Sequence, residues 1–194
     1  EQAAIAAGYG TSVNDINAWD QMFYAYAAGS FNPEAIIMIP KNSNTMYDAT
    51  YSNKWEKYIR PQAITSASGS GFPAPKQMID LFPMKNGSRP IAGQNYDPVR
   101  FYRDRDPRFY RTFAFSGCEW PGTTKQIWLY AYKYGNEYRY TDGTPGDAGA
   151  QKKSKAIVSK MSDPTVAVGA EDYAGTDILE YRYAELLLNI AECY

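Results

Sequence analysis

The chain has 194 residues, enough for one domain with a real core or for a pair of subdomains. Its 20 Lys and Arg against 21 Asp and Glu give a net charge of −1, which offers no bulk attraction to nucleic acid or anionic lipid. Histidine is absent, removing the commonest general base and metal ligand, and apolar runs such as Ala35 to Ile39 and Leu186 to Leu188 are far too short to span a bilayer.

Ala3 to Ala7 reads as the end of a helix stopped by Gly8-Tyr9-Gly10. Ser12 to Asp15 follows as a capping box. Ile16, Trp19, Phe23 and Tyr26 then mark one face of an amphipathic helix that Gly29 ends. Asn32-Pro33-Glu34 leads into a short β-like run, Ala35 to Ile39, closed by Pro40. Lys41 to Arg60 is polar and aromatic and reads mainly as a loop, and Ser66 to Gly71 reads as flexible.

Pro75 opens a short helix that runs to Phe82, with proline at its first position, and Pro83 to Gly87 is a turn. Phe101 to Phe115 carries Asp104-Arg105-Asp106-Pro107-Arg108-Phe109-Tyr110. Gln126 to Tyr134 alternates as a strand with Trp128, Tyr130, Tyr132 and Tyr134 on one face. Thr141 to Ala150 is a Gly/Asp/Pro loop, and Ala156 to Met161 is a further strand.

Asp177 to Glu192 is expected to be one helix, with Arg182, Glu185, Asn189 and Glu192 as its polar stripe. Its other faces are apolar, so it should lie buried among helices, with Ala184 and Ala191 admitting a close neighbour as in paired-helix repeats. No stop signal precedes Tyr194 and no signal peptide opens the chain, so residues 1–194 are expected to be part of a larger domain, incomplete at both ends.

Chemistry is hard to find. In Arg105-Asp106-Pro107-Arg108, Pro107 forces Asp106 out of the helical region, the charged side chains tie up backbone groups of the turn, and Phe109 and Tyr110 anchor it to the core. Arg182 and Glu185 read as an i,i+3 pair. Asp104 with Asp106, or Glu171 with Asp172, could supply the two carboxyls of a glycosidase, but neither pair sits in a recognisable frame. No serine has a histidine partner or a nucleophile elbow. Asp142 and Asp147 lack the twelve-residue calcium pattern. Cys118 and Cys193 form no CxxC spacing and read as two separate thiols. Catalytic residues, metal ligands and cofactors are therefore expected to be absent.

Binding is the better reading. The chain has 18 Tyr, 4 Trp and 8 Phe, and Tyr and Trp join a flat apolar face to a polar handle, which suits the C–H patches of sugars. The segment Asn42 to Trp55 offers rings for stacking beside amides for hydroxyls, on a loop between ordered elements. Tyr47, Tyr51 and Trp55, with Asn44 as hydrogen-bonding partner, are the expected ligand-binding residues, and Trp120 beside Pro121-Gly122 is a second candidate.

Four motifs in order carry a resemblance: Asn32-Pro33-Glu34 before an apolar strand; Pro75 to Met84, ending Asp-Leu-Phe-Pro-Met; Arg105 to Tyr110; and Arg182 to Glu192. Together they resemble the SusD/RagB family, with Asp104 standing where Asn is usual and Ala74 where Thr is frequent. The resemblance implies a mainly α fold of tetratricopeptide-type helix pairs with a loop-rich subdomain carrying short strands. It implies a non-enzymatic protein on the outer face of the outer membrane of Bacteroidetes, held by an N-terminal lipid absent from this chain. Such a protein captures oligosaccharide or polysaccharide for a SusC-like, TonB-dependent transporter. Peptide capture, or a lid-only role on that transporter, is the alternative, ahead of glycoside hydrolysis.

Overall fold

The computed structural model describes residues 16–25, 31–42, 52–61, 64, 71–124, 126–127, 132–134, 137–139 and 155–194. The chain divides into two compact units, one made of Glu1–Glu56 with Ala170–Tyr194, the other of Lys57–Gly169.

In the first unit, helix α1 (Ile16–Gln21) ends in a turn that buries Met22 and Phe23. Asn32-Pro33-Glu34 is a built corner. The Asn32 side chain donates to the Met22 carbonyl (3.0 Å) and accepts from the Glu34 N–H (3.0 Å), so one amide ties the helix end to the following strand. Strand β1 (Ala35–Ile39) pairs antiparallel with a late strand, Ile178–Arg182, with Ala35 opposite Arg182 and Ile39 opposite Ile178. Across this ladder Arg182 meets Glu34 at 3.7 Å and lies over the Phe23 ring at 5.2 Å. Asn53 pairs with Ala174 through two backbone bonds, and its side chain accepts from the Trp55 N–H (3.0 Å), starting helix α2 (Trp55–Ile59).

One expectation is refined and one corrected here. Within Lys41 to Arg60, read mainly as loop, Asn53 caps a short helix whose Ile59 is fully buried. The segment Asp177 to Glu192 is not one helix: its first part is the strand Ile178–Arg182, and only Tyr183–Glu192 is helical. Strand β1 offers an edge that Ile178 to Arg182 can satisfy, and the Tyr183 N–H closes the junction on the Glu34 carbonyl (2.9 Å). Arg182 therefore pairs with Glu34 rather than with Glu185. On the helix, Leu187 and Leu188 are exposed within the described residues.

The second unit is built on an aromatic core. Helix α3 (Lys76–Leu81), helix α4 (Pro107–Thr112), strand β2 (Phe113–Phe115) and strand Ala156–Val158 enclose Ala74, Ile79, Phe101, Phe109, Phe113 and Ala156. Phe109 is fully buried and makes edge or tilted contacts with Phe82, Phe101 and Phe113 at 5.3 to 6.3 Å, the geometry that aromatic quadrupoles favour. Phe113 pairs with Val158 and Phe115 with Ala156 across an antiparallel ladder. A hairpin joins β3 (Tyr132–Tyr134) to β4 (Glu137–Arg139); with the strands above, Ala156–Val158 is β5 and Ile178–Arg182 is β6. Of the strand expected over Gln126 to Tyr134, residues 126–127 and 132–134 are described: Gln126 makes an isolated bridge with Glu119 and only Tyr132–Tyr134 is strand, while Ala156 to Met161 is strand as far as Val158. The regular structure among the described residues is short helices and three two-stranded ladders set among turns and loops, so the loop-rich part with short strands is present. Cys118 and Cys193 are free thiols, the first partly buried and the second exposed rather than packed as a small hydrophobe.

Candidate functional site

Of the expected binding residues, Asn44, Tyr47 and Tyr51 lie outside the described residues, as does the Asp142–Asp147 loop. Trp55 is half-buried at the first position of α2. Trp120 corrects its expectation: it is 1% exposed, and its carbonyl takes the Thr123 N–H (3.0 Å). A ring so placed has no face for a ligand to stack on.

The structure instead brings together a set of residues that sequence reading passed over, around Tyr96. The floor is made by Arg105. Its guanidinium is 1% exposed and donates to the carbonyls of Ile79 (2.6 Å), Phe82 (2.7 Å) and Phe101 (2.7 Å). Two of those carbonyls end helix α3, where a cation complements the helix dipole. The same guanidinium lies over the rings of Phe109 (4.7 Å) and Tyr96 (5.2 Å). Asp106 holds a non-helical conformation (φ −49°, ψ 139°) and accepts from the Arg108 N–H, capping α4, while Arg108 returns two bonds to its carboxylate. The Arg105 to Tyr110 motif is structural, as its sequence implied. The Tyr110 ring itself stays exposed and anchors through its hydroxyl, which donates to the Tyr102 carbonyl (2.7 Å). Asp104 sits at φ 51°, a left-handed position that Asn and Asp tolerate better than most residues, which accounts for the exchange of one for the other there.

Tyr96 is fixed from the other side by Asp80, to which its hydroxyl donates (2.9 Å). Burial pushes the Tyr96 phenol up, and the Asp80 carboxylate adds to this, to about 12. Burial also pushes Asp80 up, but hydrogen bonds from Lys76 and Tyr96 and the charges of Lys76 and Arg105 outweigh it, so its carboxyl lies below 3.8. The loop around Tyr96 is pinned by Asn95, which accepts from the Ile91 N–H (2.8 Å) and donates to the Ser88 hydroxyl (2.9 Å) and the Arg89 carbonyl (3.0 Å).

Two open hollows flank the fixed ring. One, of about 430 Å³, is bordered by Pro73, Pro75, Lys76, Asp80, Tyr96 and Lys155. The other, of about 370 Å³, is bordered by Gln94, Tyr96, Asp97, Arg100, Arg103 and Asp104. Both fall in the size range of small-ligand sites. Among the described residues no three His, Cys, Asp or Glu side chains converge as metal ligands, and no helix is long and apolar enough to cross a membrane. The signal that could have found this site was the density of Tyr, Arg, Asp and Asn between Asn86 and Arg105; only its Arg-Asp-Pro-Arg core stood out in the sequence.

The family model for the SusD family matches residues 33–194. The chain belongs to the SusD family. Among solved structures it resembles a SusD-like carbohydrate binding protein from Bacteroides fragilis, 19% identical, with a TM-score of 0.58 over 84% of this chain and 29% of that one. It also resembles a second SusD-like protein from Bacteroides fragilis, 19% identical, with a TM-score of 0.57 over 98% of this chain and 38% of that one. No curated protein matches the chain. The chain therefore spans well under half the length of these SusD-like structures, and the likeness extends to their fold.

Proposed function

We infer that this chain is part of a cell-surface glycan-binding component of a TonB-dependent nutrient import system, which captures oligosaccharide and hands it to a SusC-like transporter. A lipid anchor on the outer face of the outer membrane and a mainly α scaffold of helix pairs complete this reading. The observation that carries it is membership of the SusD family across residues 33–194, beside a solved relative in fold that is named as carbohydrate binding. The site chemistry agrees with it. Tyr96 is a ring locked by Asp80 and Arg105, so it can take a sugar face at little ordering cost. The Asn44 to Trp55 segment supplies the other stacking candidates, Tyr47, Tyr51 and Trp55 with Asn44.

The carboxyls in and beside the site agree with capture rather than chemistry. A glycosidase needs one acid raised to donate a proton, whereas Asp80, Asp97 and Asp106 all move down. The test is an affinity-gel and glycan-array screen of the protein with Tyr51→Ala, Trp55→Ala and Tyr96→Leu beside it. Selective retention that these variants weaken supports the reading and names the site. Absence of retention on every glycan, or turnover that one carboxylate variant abolishes, would overturn it.

A further inference from the structure

The net charge of −1 conceals a division. The unit Lys57–Gly169 holds 17 Lys and Arg against 9 Asp and Glu, net +8, whereas the rest of the chain holds 3 against 12, net −9. Much of the basic excess is not consumed by the fold. Lys76 is paired with Asp80 and Arg108 with Asp106, and Arg105 is occupied by backbone carbonyls. Among the described residues, no ion pair or side-chain hydrogen bond engages Lys85, Arg89, Arg100 or Arg103, and all four are exposed.

These cations are held in place rather than scattered. All four lie on the loop between Met84 and Asp104, whose two ends meet where the Lys85 N–H bonds the Asp104 carbonyl (2.7 Å). Within it Asn95 clamps Ser88 and Arg89. Arg100 and Arg103 border the 370 Å³ hollow, and Lys155, tethered to the Pro98 carbonyl (2.9 Å), borders its neighbour across Tyr96. Asp97 and Asp104 border the same hollow and match Arg100 and Arg103 in number, so the local surplus comes from Lys85 and Arg89 on the loop and from Lys155 beside it. One Asp97 oxygen already accepts from the Val99 N–H (2.8 Å).

A guanidinium presents a planar fork of donors that fits a carboxylate or sulfate with two parallel bonds. A loop already ordered by its own hydrogen bonds loses little freedom when such a group arrives. A unit of net charge +8 also attracts a chain of repeated negative charges from a distance, through a field that salt screens.

We propose that the glycan captured by this chain is acidic, and that Arg100 and Arg103 hold its carboxylate or sulfate groups in the hollow beside Tyr96. The proposal rests on the glycan-capture reading above and narrows its ligand class.

The test uses the whole chain in affinity gels of sodium polygalacturonate, dextran sulfate, neutral dextran and neutral amylose, with a duplex DNA oligomer and anionic phospholipid vesicles alongside. The expected result is retention on polygalacturonate or on dextran sulfate, whichever carries the fitting anion, that weakens as NaCl is raised. The double variant Arg100→Glu with Arg103→Glu loses at least about tenfold in affinity, the loss expected for charge-assisted bonds. The double variant Arg100→Lys with Arg103→Lys keeps the salt dependence but binds more weakly, because a lysine lacks the fork. Neutral gels retaining the protein as well as acidic ones would overturn the acidic ligand and leave glycan capture standing, whereas no retention on any glycan would overturn both. DNA or vesicles binding as tightly as the acidic polymers would overturn the proposal as well, by showing that the charge serves another partner. Since Arg100 and Arg103 are exposed, the variants should fold, and unchanged circular dichroism checks this.

Discussion

Replacing Arg105 by methionine tests whether one buried cation organises the second unit. Methionine keeps the apolar stem but removes every donor. Three carbonyls, on Ile79, Phe82 and Phe101, then lose their partner in a site that is 1% exposed. An orphaned buried polar group costs about 1–3 kcal/mol, and the lost contacts with Phe109 and Tyr96 add roughly 0.5–2 kcal/mol. Against this, removing a buried charge recovers part of its desolvation. The net expectation is a loss of about 3–5 kcal/mol, a large share of the roughly 5–15 kcal/mol that holds a domain together. At about 2–4 °C per kcal/mol for a chain of this size, the melting temperature should fall by about 10 °C. Urea denaturation followed by circular dichroism measures the loss, and Arg105→Lys, which keeps the charge without the fork, should recover only part of it. Hydrogen exchange adds a local readout: the Lys85 and Asp106 amides, bonded to the Asp104 and Pro83 carbonyls, should exchange faster in the methionine variant. A stability within about 1 kcal/mol of the parent would refute the reasoning, because it would mean that water or neighbouring groups satisfy those carbonyls.

The Tyr96–Asp80 bond gives stability a pH dependence at both extremes. Tyr96 is raised to about 12 in the folded chain from an ordinary 10.0, so its contribution is complete below pH 10 and is lost as pH rises towards 12. Asp80 is lowered from 3.8, so its contribution is complete above that value and is lost as pH falls through its folded value. Tyr96→Phe should abolish the alkaline phase and diminish the acid one, as read by tyrosinate absorbance and by melts across pH. Gly122 sits at φ +77°, where an added Cβ would press on the Pro164 side chain and come within 2.8 Å of its Cα and 2.9 Å of its carbonyl oxygen. Gly122→Ala should therefore destabilise by about 2 kcal/mol or more in urea melts, and an unchanged midpoint would show that the Pro164 segment gives way freely. Trp120→Ala should cost about 3–5 kcal/mol as a core truncation, while Trp120→Phe should keep whatever glycan retention the parent shows; selective loss of retention in the phenylalanine variant would return that ring to the binding site. With thiol reagents, exposed Cys193 should react well before Cys118, whose thiol burial pushes up.

Sequence reading succeeds where a local pattern has little competition. Asn32-Pro33-Glu34 with β1 and the proline-led helix α3, where Pro75 stands one place earlier as the N-cap, follow from residues within a few positions of one another, whereas the Arg105 to Tyr110 turn proves to open a helix, α4, capped by Asp106. It fails where a distant partner decides. Ile178 to Arg182 continues the apolar period of the helix that follows, so periodicity alone joins them, but the edge of β1 lies more than a hundred residues away in sequence. Asn53 starts α2 from within a segment that reads as loop, with its backbone paired to Ala174, again a long-range bond. Pro121-Gly122 marks a turn and so suggests an exposed Trp120, yet the turn faces Pro164, and the ring is enclosed. The site around Tyr96 is illegible for the same reason: its ring, its Asp80 anchor and its Arg105 support come from separate segments, and only the fold shows that they are neighbours.

Net charge shows the same limit in another form. A value of −1 argues against electrostatic partners only if the charges are mixed along the fold. Here the chain enters the basic unit at Lys57 and leaves it at Gly169, so one contiguous stretch carries +8 while two flanking stretches, joined through β1 and β6, carry −9. The summed charge is blind to this because the acidic unit is assembled from both ends of the chain. The division makes salt the discriminating variable for the two modes of capture. Capture by ring stacking on Tyr96 alone should barely respond to ionic strength, since the Debye length of about 8 Å at physiological salt does not enter a contact between apolar faces. Capture through Arg100 and Arg103 should weaken steeply as NaCl rises. The slope of affinity against salt, measured on the parent and on Tyr96→Leu, therefore separates the contribution of the ring from that of the guanidiniums, whichever acidic glycan is bound.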